Sequence, residues 1–426
     1  MKAASPGSVA APPGPTAWRN AVFGVFALSG FIFATWVSRI PAVRDDLGLS
    51  TSTVGILLFG LAAGSIAGLA GAPALLSRLG SRRALLATLL GSGAGAVALG
   101  ASAGVVASFP LTLAVLVLFG FVFSALDVLM NVAGAEVEKA AERTLLPLMH
   151  AFFSIGTIVG AVLGSAAAHG GIPVGWHFSV AGLLVAGIGA STVRFLPPIA
   201  PAPARKQVPA GLGPRLHEAL RPARDPRLVL LGVLVAGMAF AEGSANDWIT
   251  LAAVDGHGFD EAAGALVYGT FVAAMTLGRA TGGPLLDRYG RQPVLIAMMA
   301  LGLAGLLLFI ATDTPWIAYA AAALWGLGGS LGFPVGISAA AEHPDPQFAA
   351  RRVSMVSIFG YSAFLVGPPL LGMLGDAWGL LSALYLVVAV LAVALAVTPA
   401  ATRGQARPGG GRSGGQGAEG KGPDAA

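Results

Sequence analysis

The sequence predicts an all-α membrane protein: twelve transmembrane helices in two pseudo-symmetric six-helix bundles. Three observations predict it. Apolar runs of bilayer-spanning length follow one another along the chain, basic residues collect in alternate connections, and the second half repeats the first. Of the 426 residues 55% are hydrophobic and only 11% charged. A soluble domain carries about 25% charged residues, so a soluble chain of this composition would leave its surface uncovered. Cysteine is absent, which excludes disulfides, thiolate metal sites and cysteine nucleophiles. The formal charge of +5 does not mark a nucleic-acid binder, because the basic residues sit in short clusters between apolar runs.

A bilayer-spanning helix needs about 20 mostly apolar residues. Twelve stretches meet that need: 18–40, 53–76, 83–106, 110–136, 147–169, 174–196, 228–250, 262–286, 292–312, 315–341, 351–375 and 378–398. They are spans 1 to 12 below. Backbone polar groups cannot stay unpaired in lipid, so each is expected to be helical. Residues 1–16 lack the charged start and apolar run of a signal peptide and are expected to be disordered. Bundles over 17–196 and 228–398 then flank a Pro/Arg-rich linker at 197–227, and 399–426 reads as a Gly-rich disordered tail.

Basic residues set the orientation. Arg78, Arg82 and Arg83 follow span 2, Lys139 and Arg143 follow span 4, and Arg205, Lys206, Arg215, Arg221, Arg224 and Arg227 fill the central linker. Arg288 and Arg291 follow span 8, and Arg351 and Arg352 follow span 10; only Arg39 and Arg44 break the pattern. The positive-inside rule puts both termini and the linker in the cytoplasm. A multi-pass protein of the cytoplasmic membrane is expected.

The stretch Leu75–Leu86, LLSRLGSRRALL, returns as Leu285–Ile296, LLDRYGRQPVLI, 210 residues later (285 − 75). Glu136 and Glu342 close spans 4 and 10 in the same way. Two similar bundles about a midplane site are the design of many secondary transporters.

The stretch Gly283–Gln292, GPLLDRYGRQ, resembles the cytoplasmic signature of the major facilitator superfamily, Gly, two residues, an apolar, then Asp-Arg-x-Gly-Arg. In the N-terminal copy Pro73 replaces the Gly and Ser77 the Asp, while Gly80 and Arg82 are kept. The resemblance covers residues 17–398. Three further stretches, FATWVSRIPAVRDDLGLS, LPLMHAFFSIGTIVG and AFAEGSANDW, resemble a bacterial branch that includes rhizopine-transport proteins. Leu126–Asn131, LDVLMN, is similar to the Leu-Glu-x-x-x-Asn stretch in span 4 of proton-coupled fucose permeases, with Asp127 at the acid and Asn131 at the amide. These resemblances imply proton-coupled alternating access and a small polar solute: a sugar, polyol or amino-inositol.

Three acids lie within the spans: Asp127, Glu242 and Asp247. An ionised acid in a bilayer is costly, so such residues face a wet cavity, find a partner or hold a proton. Asp127 and Asn131, and again Glu242 and Asn246, are four apart and share a helix face. Each pair offers an acid and an amide to hydroxyl groups. Asp127 and Glu242 are candidates for proton coupling, and Asn131 and Asn246 for solute binding. The alternative for each pair is a polar clamp that only holds the bundle. Trp36, Phe153, Trp325, Tyr361 and Trp248 are candidates to stack on an apolar ring face, with interfacial anchoring the alternative for Trp36 and Trp248. His150 opens span 5 either as a proton relay or as a packing residue.

Two gates are expected. At the cytoplasmic side Gly283, Asp287, Arg288, Gly290, Arg291 and Glu342 form a charge cluster, with Arg82 and Glu136 as its N-terminal copy; the alternative is plain positive-inside anchoring. At the outside, Asp247 near the outer end of span 7 is expected to pair with Arg39, unless Arg39 pairs with Asp45 or Asp46. Glycines recur every four residues at Gly60, Gly64 and Gly68 and at Gly156, Gly160 and Gly164. They suit either rocking of the halves, which the resembled fold brings together at spans 2 with 11 and 5 with 8, or static close packing.

No phosphate-binding Gly-Lys-Ser/Thr loop and no His-Glu-x-x-His motif occurs. The chain is not expected to be an enzyme, and no cofactor or metal is expected. Its expected partners are a small-molecule solute, protons and the lipid bilayer, with no nucleic acid, and a monomer is expected. An efflux antiporter on the same fold and a solute sensor that transports nothing are the alternatives.

Overall fold

The computed structural model describes residues 14–143, 145–197, 224–343 and 345–402. The expectations for 1–13, for 198–223 of the linker and for 403–426 lie outside the described residues. Among those described, the regular structure is helical. Eleven helices are long and apolar enough to cross a membrane. The longest, Thr51–Gly104 with 54 residues, would run about 80 Å at 1.5 Å per residue, far beyond a hydrocarbon core of about 30 Å. It turns at Gly80, whose φ of 75° and ψ of 163° are not helical, and so supplies spans 2 and 3.

Gly290, at φ 83° and ψ 165°, makes the same turn between spans 8 and 9. These are the glycines of the two motif copies, 210 residues apart (290 − 80). A side chain disfavours positive φ, so the glycine in each copy is set by the turn.

Span 1 is Pro15–Val37, followed by a short helix, Ile40–Leu47, which ends on Gly48 at φ 60°. Spans 4, 5 and 6 are Phe109–Ala141, Leu146–His169 and Val174–Val193. Span 7 is Pro226–His257, span 8 Glu261–Tyr289 and span 9 Arg291–Ala311. Span 10 is broken in its middle, into Pro315–Gly329 and Gly332–Ala341. Spans 11 and 12 are Pro346–Trp378 and Leu380–Ala401. Side-chain caps fix several starts: Ser50 accepts from the Thr53 amide at 3.3 Å and Asp260 from that of Ala263 at 2.7 Å.

In the N-terminal half spans 1 and 5, 2 and 4, and 3 and 6 pair; in the C-terminal half span 7 packs on 11 and 12, and span 10 on 8 and 9. The halves meet at spans 2 with 11 and 5 with 8, as the resembled fold implies. The glycine strips serve packing inside a half. A Cβ on Gly64 or Gly68 would lie 2.0 or 2.1 Å from the carbonyl oxygens of Val117 or Phe121 on span 4, and one on Gly156 1.9 Å from that of Ala27 on span 1. The close inter-half approach is made elsewhere: a Cβ on Gly55 would stand 2.9 Å from the Pro368 carbonyl and 3.3 Å from the Cα of Gly372.

Both described chain ends fall on one face, here the terminal face; the opposite one is the far face. Ser52 on span 2 donates to Asp376 on span 11 at 3.0 Å. Arg44 pairs with Asp255, and Arg39 stands 3.9 Å from Glu261. All three contacts join the halves at the far face. At the terminal face the ion pairs Arg291–Glu342 and Arg352–Asp225 each lie within the C-terminal half. The structure is closed at the far face.

Candidate functional site: a polar cleft between the halves

Polar side chains from both halves meet near the middle of the spans. On span 4, Asn131 donates through Nδ2 to the Asp127 carbonyl at 2.9 Å and lies 3.5 Å from its Oδ1. That fixes the amide, whose Oδ1 then faces Nε2 of His150 at 3.1 Å. A carbonyl oxygen only accepts, so the contact is a hydrogen bond in the tautomer with the proton on Nε2 of His150. The i, i+4 spacing expected from sequence therefore holds, and span 5 adds a third member. His150 is exposed and has the edge of Phe26 against it, 5.2 Å between centroids.

Across the cleft, Glu242 of span 7 accepts from Arg279 of span 8 at 2.8 Å; their side chains are 15% and 42% exposed. Arg279 also donates through Nε to the Ser330 carbonyl at 3.3 Å. Ser330 sits at the break in span 10, where the next helical turn no longer supplies every backbone partner. The arginine therefore ties three spans together. Its charge reaches His150 of the other half, and the charge of Asp127 reaches Tyr361 of span 11, 39% exposed. These two relationships bring the two clusters within electrostatic reach of each other across the halves.

Sequence reasoning that counts acids alone misses Arg279. The signal was present, since a lone arginine inside an apolar span is marked by the same rule as a lone acid. Glu242 thus finds a cation on another span and does not pair with Asn246, which is half-buried and makes no hydrogen bond to a described residue.

The aromatic candidates divide. Trp325 is fully buried between Phe271 and Phe309, with centroids at 5.6 and 6.2 Å. Trp36 is 3% exposed against Phe178 at 6.4 Å, and Trp248 is fully buried. All three are interior packing residues, neither interfacial anchors nor lining of the cleft. Phe153 is half-buried, and its carbonyl accepts from Thr157 at 3.0 Å. Tyr361 keeps its place.

The far-face latch differs from expectation. Arg39 does not meet Asp247: its Nη2 donates to the Ile172 carbonyl at 2.9 Å and faces Glu261. The reason is helix length. Span 7 continues to His257, ten residues past Asp247, which sets the acid about 15 Å below the rim. Burial lowers the Arg39 pKa, and Glu261 and Asp46 partly offset it. Burial also opposes the charge of Arg44, but hydrogen bonds to Asp255 and Asp45 outweigh it and raise its pKa. The tie from Arg44 to Asp255 is the far-face ion pair that sequence reading did not find.

At the terminal face the expected cluster is reduced to one pair. Arg291 binds Glu342 and lies 3.4 Å from the Ser338 hydroxyl, joining the 8–9 turn to span 10. Arg288 lies over the ring of Tyr289 at 5.2 Å. Asp287, Arg82 and Glu136 make no ion pair with a described residue, and one carboxylate oxygen of Glu136 is buried without a partner. Gly283 stands in open space, while Gly290 makes the turn.

The family model of the Major Facilitator Superfamily matches residues 21–280 and 248–423. The chain is 29% identical over 368 residues to the uncharacterized transporter y4wD of Sinorhizobium fredii (strain NBRC 101917 / NGR234), covering 85% of this chain and 92% of that one. It is 27% identical over 384 residues to the membrane protein MosC of Rhizobium meliloti, covering 90% of each. Among solved structures it is similar to the nucleoside transporter NupG (D323A mutant), with a TM-score of 0.74 at 12% identity, covering 90% of this chain and 99% of that one. The twelve-span fold, its repeated turn glycines and these matches give one conclusion: the chain belongs to the Major Facilitator Superfamily of membrane transport proteins.

Proposed function

We propose that this protein moves a small polar solute, of sugar, polyol or amino-inositol type, across the cytoplasmic membrane by proton-coupled alternating access, with its terminal face in the cytoplasm. One observation carries the reading. The Asp127–Asn131–His150 chain of one half and the Glu242–Arg279 pair of the other lie within electrostatic reach of each other, the Arg279 charge acting on His150 and that of Asp127 on Tyr361 of span 11. Carboxylates, an amide, an imidazole and a guanidinium offer acceptors and donors together, as a polyhydroxylated solute requires. Asp127 has no cation paired to it among the described residues. Such an acid at mid-span is where a proton is taken up and released.

Asn131 holds Asp127 and presents its oxygen through His150, so a proton and a solute bound there meet the same hydrogen-bonded chain. Spans 4 and 11 change their separation when the halves rock. Solvent access to Asp127 then changes with the state, and that is the coupling.

The test is uptake into proteoliposomes, after a thermal-shift screen of polyols, amino-inositols and sugars on the purified protein. An inward proton gradient should drive accumulation of the ligands found. Asp127→Asn should abolish accumulation and retain solute exchange. Accumulation by the Asn variant with normal proton movement would overturn the role of Asp127. Binding without any flux would make the protein a sensor, and proton-driven export would make it an efflux antiporter.

A further inference from the structure

Asp247 is left unexplained by both the latch and the cleft. It is half-buried on span 7, and the residues that follow it, Trp248 to Ala253, are all buried. Span 7 is enclosed by spans 8, 10, 11 and 12 and touched by span 1 and the helix Ile40–Leu47. Yet Asp247 makes no ion pair or hydrogen bond with any described residue. Its one titratable neighbour from another element is Tyr268 of span 8, 1% exposed, which also lies within electrostatic reach of Glu242 on span 7. Among the described residues no charged side chain of spans 1, 10, 11 or 12, or of the helix Ile40–Leu47, makes an ion pair with Asp247. Beside it the indole nitrogen of Trp248 and the hydroxyl of Thr250 are buried without partners.

A carboxylate without a counter-charge is not stable in such a place, and a neutral carboxyl is. Glu242, five residues deeper, already has its cation in Arg279. The geometry points to Asp247 as a second proton-binding site, in the C-terminal half. The site is charged with its proton in the closed far-face state and exchanges it with the far side when that face opens. A bound sodium ion is the alternative occupant, and the test below separates the two.

The far rim is suited to supply protons. Arg39, Asp45, Asp46, His169, Asp260 and Glu261 line a cavity of ≈ 440 Å³ there, and its excess of acids concentrates cations. The site rests on the proton coupling proposed above and adds a second carboxyl to it. It separates the halves by role: Asp127 answers to the solute cleft, Asp247 to the far side.

The test needs no solute. Purified protein in lipid nanodiscs is examined by infrared spectroscopy for the carbonyl stretch of protonated carboxyls near neutral pH, in sodium-free choline chloride. Asp247→Asn should remove one band that Glu242→Gln and Asp127→Asn each leave in place. Asp247→Glu should restore a band at shifted frequency, which guards against loss of folding. An Asp247→Asn spectrum identical to the native one would overturn the site. So would disappearance of the band when sodium chloride replaces choline chloride, because the occupant is then a metal cation. Since no transport is measured, failure to find a polyol or sugar substrate leaves this result standing, and the absence of the band leaves proton-driven uptake through Asp127 intact.

Discussion

Arg279 on span 8 donates to Glu242 on span 7 at 2.8 Å, and through its Nε to the Ser330 carbonyl at the break in span 10 at 3.3 Å. The guanidinium thereby serves as the missing helical partner of span 10 as well as the counter-ion of Glu242. Removing it leaves a mid-span carboxylate unpaired. Arg279→Ala is expected to reduce transport at least tenfold and to cost about 1–2 kcal/mol of stability, below the cost of breaking a fully buried pair because solvent reaches the arginine. The double variant Arg279→Gln with Glu242→Gln should recover stability without recovering transport. Chemical denaturation in detergent alongside proteoliposome uptake measures both, and full activity of Arg279→Ala would remove the pair from the mechanism.

Arg44 and Asp255 tie the halves at the far face. Their side chains are 16% and 31% exposed, so the pair is worth about 1 kcal/mol, a several-fold bias between states. Arg44→Asp and Asp255→Arg should each raise far-face accessibility, and the two together should restore part of the closure. The chain has no native cysteine, so alkylation of single introduced cysteines reads this directly. No recovery in the double variant would show that the pair does not hold the latch.

Two glycine substitutions separate hinge from packing. Gly55 lies against Pro368 and Gly372 across the halves. Gly55→Leu should therefore hold the far face open, with normal folding. Gly64 lies against a carbonyl of its own half, so Gly64→Leu should lower folded yield without favouring either state. Matching effects at the two positions would contradict the division.

Gly80 and Gly290 make the repeated turn at positive φ. A side chain there costs about 1–3 kcal/mol. Gly80→Ala and Gly290→Ala are expected to lose stability by similar amounts, although only the second lies in the intact motif. Thermal unfolding of both checks this, and a loss confined to Gly290 would point to a gating role for the motif glycine beyond its turn.

Arg291 holds Glu342 while the far face is closed. Asp287, without a partner here, is free to engage the N-terminal half when that face closes. Asp287→Ala is expected to favour the far-closed state several-fold, measured by cysteine accessibility on both faces. Unchanged accessibility would leave the acid with an anchoring role only.

The twelve spans were legible because lipid forces each apolar run of sufficient length into helix. The boundaries were less so, since a helix continues past its apolar stretch wherever a neighbour covers it. Span 7 runs to His257 for that reason, and this alone moved Asp247 from the rim to the interior. The Asp127–Asn131 face was legible too, because it depends on helix periodicity within one span. Its continuation to His150 depends on how span 5 lies against span 4, which no local pattern encodes.

The sequence by itself determined the membrane class, the two-fold repeat with its motif glycines, and the intramembrane acids, all properties of one segment or of its recurrence. Tertiary structure alone decided the partners. Arg39 took Glu261 and Ile172, Arg44 took Asp255, Glu242 took Arg279, and Trp36 and Trp325 went to the interior. The physical reason is that a charge or ring in a helix bundle is satisfied by whichever neighbouring span faces it. That choice is made by the packing of small residues such as Gly64 against Val117 and Gly55 against Gly372, at contacts far apart in the chain.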